Sequence, residues 1–573
     1  MMRLLPPTIL VALALTFEVS AGGARLGKWS ERAGRAWWDE RPDAVGWQAA
    51  GEELHAALLS AQETHGVDRA LSNPHFMRWM VHRRWLSFFP EGFASHQYFR
   101  HAENRQRFRQ LGSMPEFLDR LSATLVVEDD GARAAEILCR ILASREEDLG
   151  EYLNLAIALA VVADTPPPEG WPHPYVEREA IPVGDLDPAE RFGFLVDSHK
   201  AGKLLFDPCE LSIRELCFVV DTIVEMNELA YAQQIEISSP KRLEDLYFAV
   251  KYDEGRIQRS QYQWPHGRYR LIDVGLKGGI CADQAYFVSH AGKAKGVPTV
   301  VFVGQGLSGT HAWVGFLRSR GTWELSAARF RGEKYPVGVA YDPQTWNRVT
   351  DAKLADEFAV AGNGKKLRDC RRVLQWAILN MDAEFNREVM AVAKRRMPRS
   401  EDAWEMEAVW LLRNEADLRV QAKFWESWIR EFDDARDLKI RGQKALLRTL
   451  EAQGDLKAAG RLRDKVVAEH RSARFDLGIS MAADAVMAKV GARDWEGAQA
   501  EYVKVIKRFR RKAGGHLFYN LVQPYVNACL QDGQFGDAEK AVENLRDGFD
   551  AQEGSILDND MQKLIQAVEG GRP

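Results

Sequence analysis

Apolar positions recur at three- and four-residue spacing through the first part of the chain. "LDRLSATLVV" and "GARAAEILCRILAS" carry this pattern, which gathers the apolar side chains on one face of a helix. The pattern predicts a helical N-terminal domain over 22–197. It breaks near 165–185, within "ADTPPPEGWPHPYVEREAIP", where the prolines exclude regular structure and imply a linker or surface excursion.

The period then changes. "ELCFVVDTI" is an apolar run, strand-like or buried. "SSPKRLEDLYFAVKY" has a Ser start signal followed by a helical period. Four β-rich runs follow: "TVVFVG", "THAWVGFLR", "TWELSAARF" and "PVGVAYD". The helix ahead of them has marked ends. Asp283 lies in its first turn and Lys293 and Lys295 in its last, Gly296 can end it, and Pro298 stops its continuation. One helix followed by several strands predicts an α+β core over 198–349.

From 350 to 573 the helical pattern returns with a weak repeat. "QGDLKAAG", "ARDWEGAQA" and "DGQFGDAEKA" share a turn, an apolar anchor and an alanine three positions later. The anchors Leu456, Trp495 and Phe535 stand 39 and then 40 residues apart, and "EADLRVQA" around Leu418 reads as a degenerate copy. Paired helices at this period predict an α-solenoid with a concave face for a protein or peptide partner. The signature resembles tetratricopeptide repeats, at a longer period than theirs.

The length of 573 residues fits three or four units of this kind. A net charge of -5 gives no basis for holding nucleic acid through phosphate contacts. The N-terminus, "MMRLLPPTILVALALTFEVSAGGA", has one arginine, an apolar run and a small-residue cleavage pattern. Residues 1–21 are therefore expected to be a signal peptide, and the mature protein periplasmic or extracellular. Membrane attachment is expected only if that segment is retained. Of the 6 cysteines, only Cys209 and Cys217 are close enough in sequence to suggest a bridge.

The chemistry centres on "KGGICADQAYFVSHAGKAKG" and "GTHAWVGFL". Cys281 follows a Gly-Gly turn and sits in the first turn of the predicted helix. Free amide N–H groups and the helix dipole there favour a thiolate nucleophile and supply oxyanion donors. The glycines would let a substrate carbonyl approach. His311, opening a later strand, is the candidate partner. Cys281, His290 and His311 match no zinc spacing, and neither metal nor cofactor is expected.

Gly-x-Cys-x-Asp ahead of a helix, Gly-Val-Pro after it, a strand, and His-Ala-Trp together resemble the transglutaminase-like core, a branch of the papain-like cysteine enzymes. The resemblance covers about residues 200–341. It implies that Cys281 is the nucleophile, His311 its partner and Asp283 a structural first-turn residue. It also implies an acid on the strand after the histidine. With a turn at Ser319-Arg320, Ala328 would face His311, Ser326 would face Trp313 and Glu324 would face Gly315. That range offers Ser-Ala-Ala. Ser326 and Asp342 are the third-member candidates, the latter reading equally as a turn residue before Pro343. Gln261 and Gln263 in "SQYQWPHG" are the oxyanion candidates.

The expected activity is acyl transfer or hydrolysis on a peptide or glutamine amide through a thioester. The enzyme would be a cysteine protease, amidase or acyltransferase. The alternative is an inactive core that holds a protein partner through its helical repeats.

Overall fold

A computed structural model of the chain describes residues 31–89, 97–182, 187–360, 364–414, 417–470, 474–543, 545, 549 and 551–571. The expected signal peptide lies outside these residues. The chain is helix-rich, with one five-stranded antiparallel sheet near its middle. Among the described residues, no helix is long and apolar enough to cross a membrane.

The sheet contains β1 (Thr299–Gln305), β2 (Thr310–Ser319), β3 (Thr322–Ala327), β4 (Val339–Tyr341) and β5 (Arg348–Thr350), in the order β3-β2-β1-β4-β5. β2 and β3 form a hairpin around Arg320-Gly321, one residue later than the sequence suggested. Ser319 pairs with Thr322, and Gly321 supplies the positive φ of 65° that this tight turn needs. Two irregularities shift the register further. Glu324 therefore faces Phe316 rather than Gly315, and Ala327 faces Val314. β4 does not continue the hairpin but crosses over to pair with β1 on the other side.

The helix Cys281–Ala294 is buried along its whole length, packed against β1, β2 and the flanking helices Met226–Gln234 and Arg242–Ala249. Its start is fixed by Asp283, which caps the Ile280 N–H at 2.7 Å. Its end is fixed at Gly296, where φ is +70°. Lys293, placed in the last turn by sequence, is a buried structural cation rather than a solvated one. It donates to Asp221 and to the carbonyls of Phe218 and Thr299. Removing one partner of such a pair costs about 3–5 kcal/mol. The run "ELCFVVDTI" is helical rather than a strand: Ile213–Val220 begins with a Ser212–Glu215 capping box.

Three helices start at the repeat anchors: Leu456–Glu469, Trp495–Leu517 and Phe535–Val542. A residue with positive φ precedes each turn: Gly454, Arg493 and Gly533. The alanines that follow the anchors, Ala459, Ala498 and Ala538, are buried where paired helices meet. Packing crosses the expected boundaries, however. One apolar core joins the N-terminal helices to residues between Cys370 and Leu446, and a second runs from Ile440 to Val568. Trp376 donates to Gln62, and Arg84 to Gln375.

The far end of the chain returns to the sheet. The Gly515 N–H donates to the Gly306 carbonyl at 2.9 Å, and the Leu557 N–H to that of Ser308 at 3.1 Å. The helix Ile556–Gly570 therefore rests on the loop that leads into His311.

Candidate functional site

Gly278 and Gly279 seat Cys281 against the chain itself. A Cβ on Gly278 would lie 2.2 Å from the Lys251 carbonyl oxygen, and one on Gly279 2.3 Å from the Asp283 Cβ. Gly279 also pairs with Tyr252 in an isolated parallel bridge. Gly278 thus admits the Lys251 backbone, and Gly279 the Asp283 side chain that caps the helix. Behind them Asp283 forms a buried hub. Its carboxylate accepts from Arg256 at 2.7 Å and from the Tyr269 hydroxyl at 2.9 Å, and it lies 3.1 Å from His173 Nε2. These partners hold its pKa below the usual carboxylate range despite burial. Arg256 also donates to the carbonyls of Gln261 and Tyr262, tying the 261–262 loop to the cysteine helix.

Cys281 is 7% exposed. Its sulfur takes hydrogen bonds from the backbone at Ala312 and Ala282, yet burial outweighs them and pushes the thiol up to about 11. The depressed thiol expected at a helix start is not what this conformation holds, because helix-end stabilisation is smaller than the cost of a desolvated charge. The Tyr247 hydroxyl lies 2.8 Å from the Ala312 carbonyl and 3.3 Å from that of Cys281. It ties the start of the cysteine helix to the histidine strand.

His311 is 6% exposed. Its ring stacks on Phe330 with centroids 4.2 Å apart, and Nε2 lies 2.9 Å from the Ala328 carbonyl oxygen. A carbonyl only accepts, so Nε2 carries the proton and Nδ1 the lone pair. Burial lowers the imidazole pKa, opposed by the Ala328 bond and by Glu333. Ala328 adopts φ +65°, and its N–H donates to Glu244 at 3.2 Å. No hydrogen bond joins the thiol to the imidazole among the described residues; Tyr247 bridges their elements through the backbone.

The third-member candidates lie elsewhere. The Ser326 side chain is turned to Glu324, with Oγ 2.6 Å from its carboxylate in an exposed position. Asp342 pairs with Arg214 and caps the N–H groups of Gln344 and Thr345, as a turn residue does. The topology explains this. β4 starts opposite Val303, near the His311 end of β1, and runs away from it. Gln261 is exposed and its side-chain oxygen accepts from Arg259 at 3.0 Å; Gln263 is also exposed. Neither is brought to Cys281 by a contact seen here. His290 bonds the Tyr286 carbonyl, and burial drives its pKa down to about 3.

Sequence reasoning missed Tyr247, Glu244 and the aromatic front. Tyr175 and Tyr262 pack on the apolar cluster that contains Cys281. The Tyr262 hydroxyl donates to Asp560 at 3.4 Å, as does that of Tyr519 at 2.8 Å. Asn559 reaches the Ile257 carbonyl. The last helix therefore spans two loops, one packed beside Cys281 and one leading into His311. A cleft of about 820 Å³ lies apart from this site, between residues 194–205 and 230–237.

The chain matches no protein-family model, no curated protein and no solved structure.

Proposed function

We propose that the chain is a cysteine acyl-transfer enzyme of the transglutaminase-like kind, held here in a closed resting state. The carrying observation is the Tyr247 hydroxyl, 2.8 Å from the Ala312 carbonyl and 3.3 Å from that of Cys281, which links the Cys281 end of the central helix to the strand residue that follows His311. With the thiol at about 11 and a lowered imidazole, the resting pair is neutral. On opening, Nδ1 of His311 takes the thiol proton, and the sulfur attacks an amide carbonyl of a peptide or glutamine. The imidazolium then protonates the leaving amine as the C–N bond breaks. Water or an amine resolves the thioester. The Ala328 carbonyl fixes the tautomer as an acid would, without the negative charge that stabilises imidazolium. In this reading the helices from 350 onward form a tetratricopeptide-like array that presents a protein partner or substrate.

The test is incubation with a glutamine-containing peptide, with and without a primary amine. Ammonia release and the peptide mass are read, with Cys281→Ala as control. Turnover that Cys281→Ala abolishes supports the proposal. No turnover, either by the intact chain or by a chain whose last helix has been loosened by Asp560→Lys, overturns it.

A second reading is a core that holds a partner without catalysis. It is favoured by the neutral carbonyl on His311, where the family places an acid. It requires that Cys281 stay inert when the cover is loosened.

A further inference from the structure

His199, Asp207 and Cys209 converge at the junction between the N-terminal helices and the core. Their ligand atoms all lie within 4.8 Å of one another. His199 sits in the last turn of the helix Pro188–Lys200. Asp207 and Cys209 sit in the turn before Ile213–Val220. We propose that these three side chains form a binding site for a divalent cation of the zinc class.

Three observations support it. His199 Nε2 and Asp207 Oδ1 are 3.3 Å apart, and donors at ordinary zinc bond lengths and tetrahedral angles stand about 3.3 Å apart. The second nitrogen of the imidazole is already held, since Nδ1 lies 2.8 Å from the hydroxyl of buried Tyr152. This is the outer partner that metal-binding histidines use to fix ring and tautomer, leaving Nε2 for the metal. Third, Cys209 and Asp207 belong to one turn: the Cys209 N–H donates to Asp207 Oδ1 at 2.8 Å, which brings the thiol and the carboxylate into the same cluster with His199. On binding, the S–H proton leaves to water and a metal–sulfur bond forms, with a fourth position open to water. An ordinary His–Asp ion pair accounts for the 3.3 Å contact but not for the thiol.

The bridge between Cys209 and Cys217 that the sequence left open is not formed: both are free, and Cys217 is buried while Cys209 is exposed. A bound ion would staple the end of one helix to the start of the next. It would protect a thiol otherwise open to oxidation.

The experiment adds cobalt(II) or zinc(II) to the intact, reduced protein. The expected result is one equivalent bound and a thiolate-to-cobalt charge-transfer absorption that zinc displaces. Zinc should also block alkylation of Cys209. Cys209→Ser, on an exposed loop that tolerates it, should remove the absorption, and Cys281→Ala should leave it. Tyr152→Phe should weaken affinity about 10–100-fold. Absence of the absorption in the intact protein, or its survival in Cys209→Ser, overturns the proposal.

Discussion

His311 Nε2 donates to the carbonyl of Ala328 at 2.9 Å, and Ala328 is in turn held by Glu244 through its N–H. A peptide oxygen thus occupies the orienting position on the imidazole. Ser326 and Asp342 have other duties. Ser326→Ala should leave turnover and Cys281 reactivity unchanged. Asp342→Asn should lower stability by about 1.5–3 kcal/mol, because the half-buried Arg214 loses one charged partner and keeps Glu357. Its turnover per folded molecule should stay near that of the parent. Denaturant midpoints and initial rates measured side by side check both expectations.

Tyr247→Phe should cost about 0.5–1.5 kcal/mol, since it removes the one hydroxyl donor that the two carbonyls share. It should also lower turnover by more than its loss of folded protein explains. Rates normalised to the folded fraction separate the two effects.

Arg493 holds φ +59° at the turn position where the other two repeats use glycine. Arg493→Gly should therefore stabilise the chain by up to about 1 kcal/mol, the lower end of the cost of a left-handed side-chain residue. The reverse change, Gly533→Ala, should destabilise by a similar amount. Urea unfolding of the three proteins tests this.

Burial, with Asp129 close by, raises the Asp164 carboxyl to about 8. Its folded pKa lies above its unfolded value, so the folded chain binds the extra proton. This group's penalty is absent below the unfolded value of 3.8, where both states are protonated. It grows steadily from there to about 8, where only the unfolded chain is ionised, and levels off above. Asp164→Asn should therefore stabilise the protein clearly at pH 9 and little at pH 4. Unfolding midpoints at the two pH values give the answer, and equal effects at both would refute the assignment.

The legible parts of the molecule were those written in local pattern. The ends of the Cys281 helix, four of the strands and the three repeat anchors follow from spacing and from Gly, Pro and capping residues. Ser212 and Glu215 were equally legible as a capping box, but the apolar run after them looked like a strand because a buried helix has no polar face. Tyr247 was visible as part of a helix. Nothing in its neighbourhood said that its hydroxyl would reach residues 34 and 65 positions away. The hairpin register needed irregularities that no residue announces. The course of β4 beside β1 depended on the excursion after Phe330, and that course decided the place of Asp342. The helix that holds Tyr262, beside the Cys281 cluster, does so through Asp560, 298 residues downstream of that tyrosine. Local pattern carries no record of such a contact.

The most direct test is alkylation of Cys281 across pH, read by mass spectrometry against Cys139 and Cys529 within the same molecule. In the intact chain its midpoint should lie near 11. In Asp560→Lys, where the Tyr262 and Tyr519 hydroxyls lose their acceptor, Cys281 should label at least about tenfold faster near neutrality, with a midpoint below that of a free thiol of about 8.5. Adding His311→Ala should undo that gain. If Cys281 in the loosened chain still labels no faster than Cys139 or Cys529, or ignores the loss of His311, the two residues are not a catalytic pair.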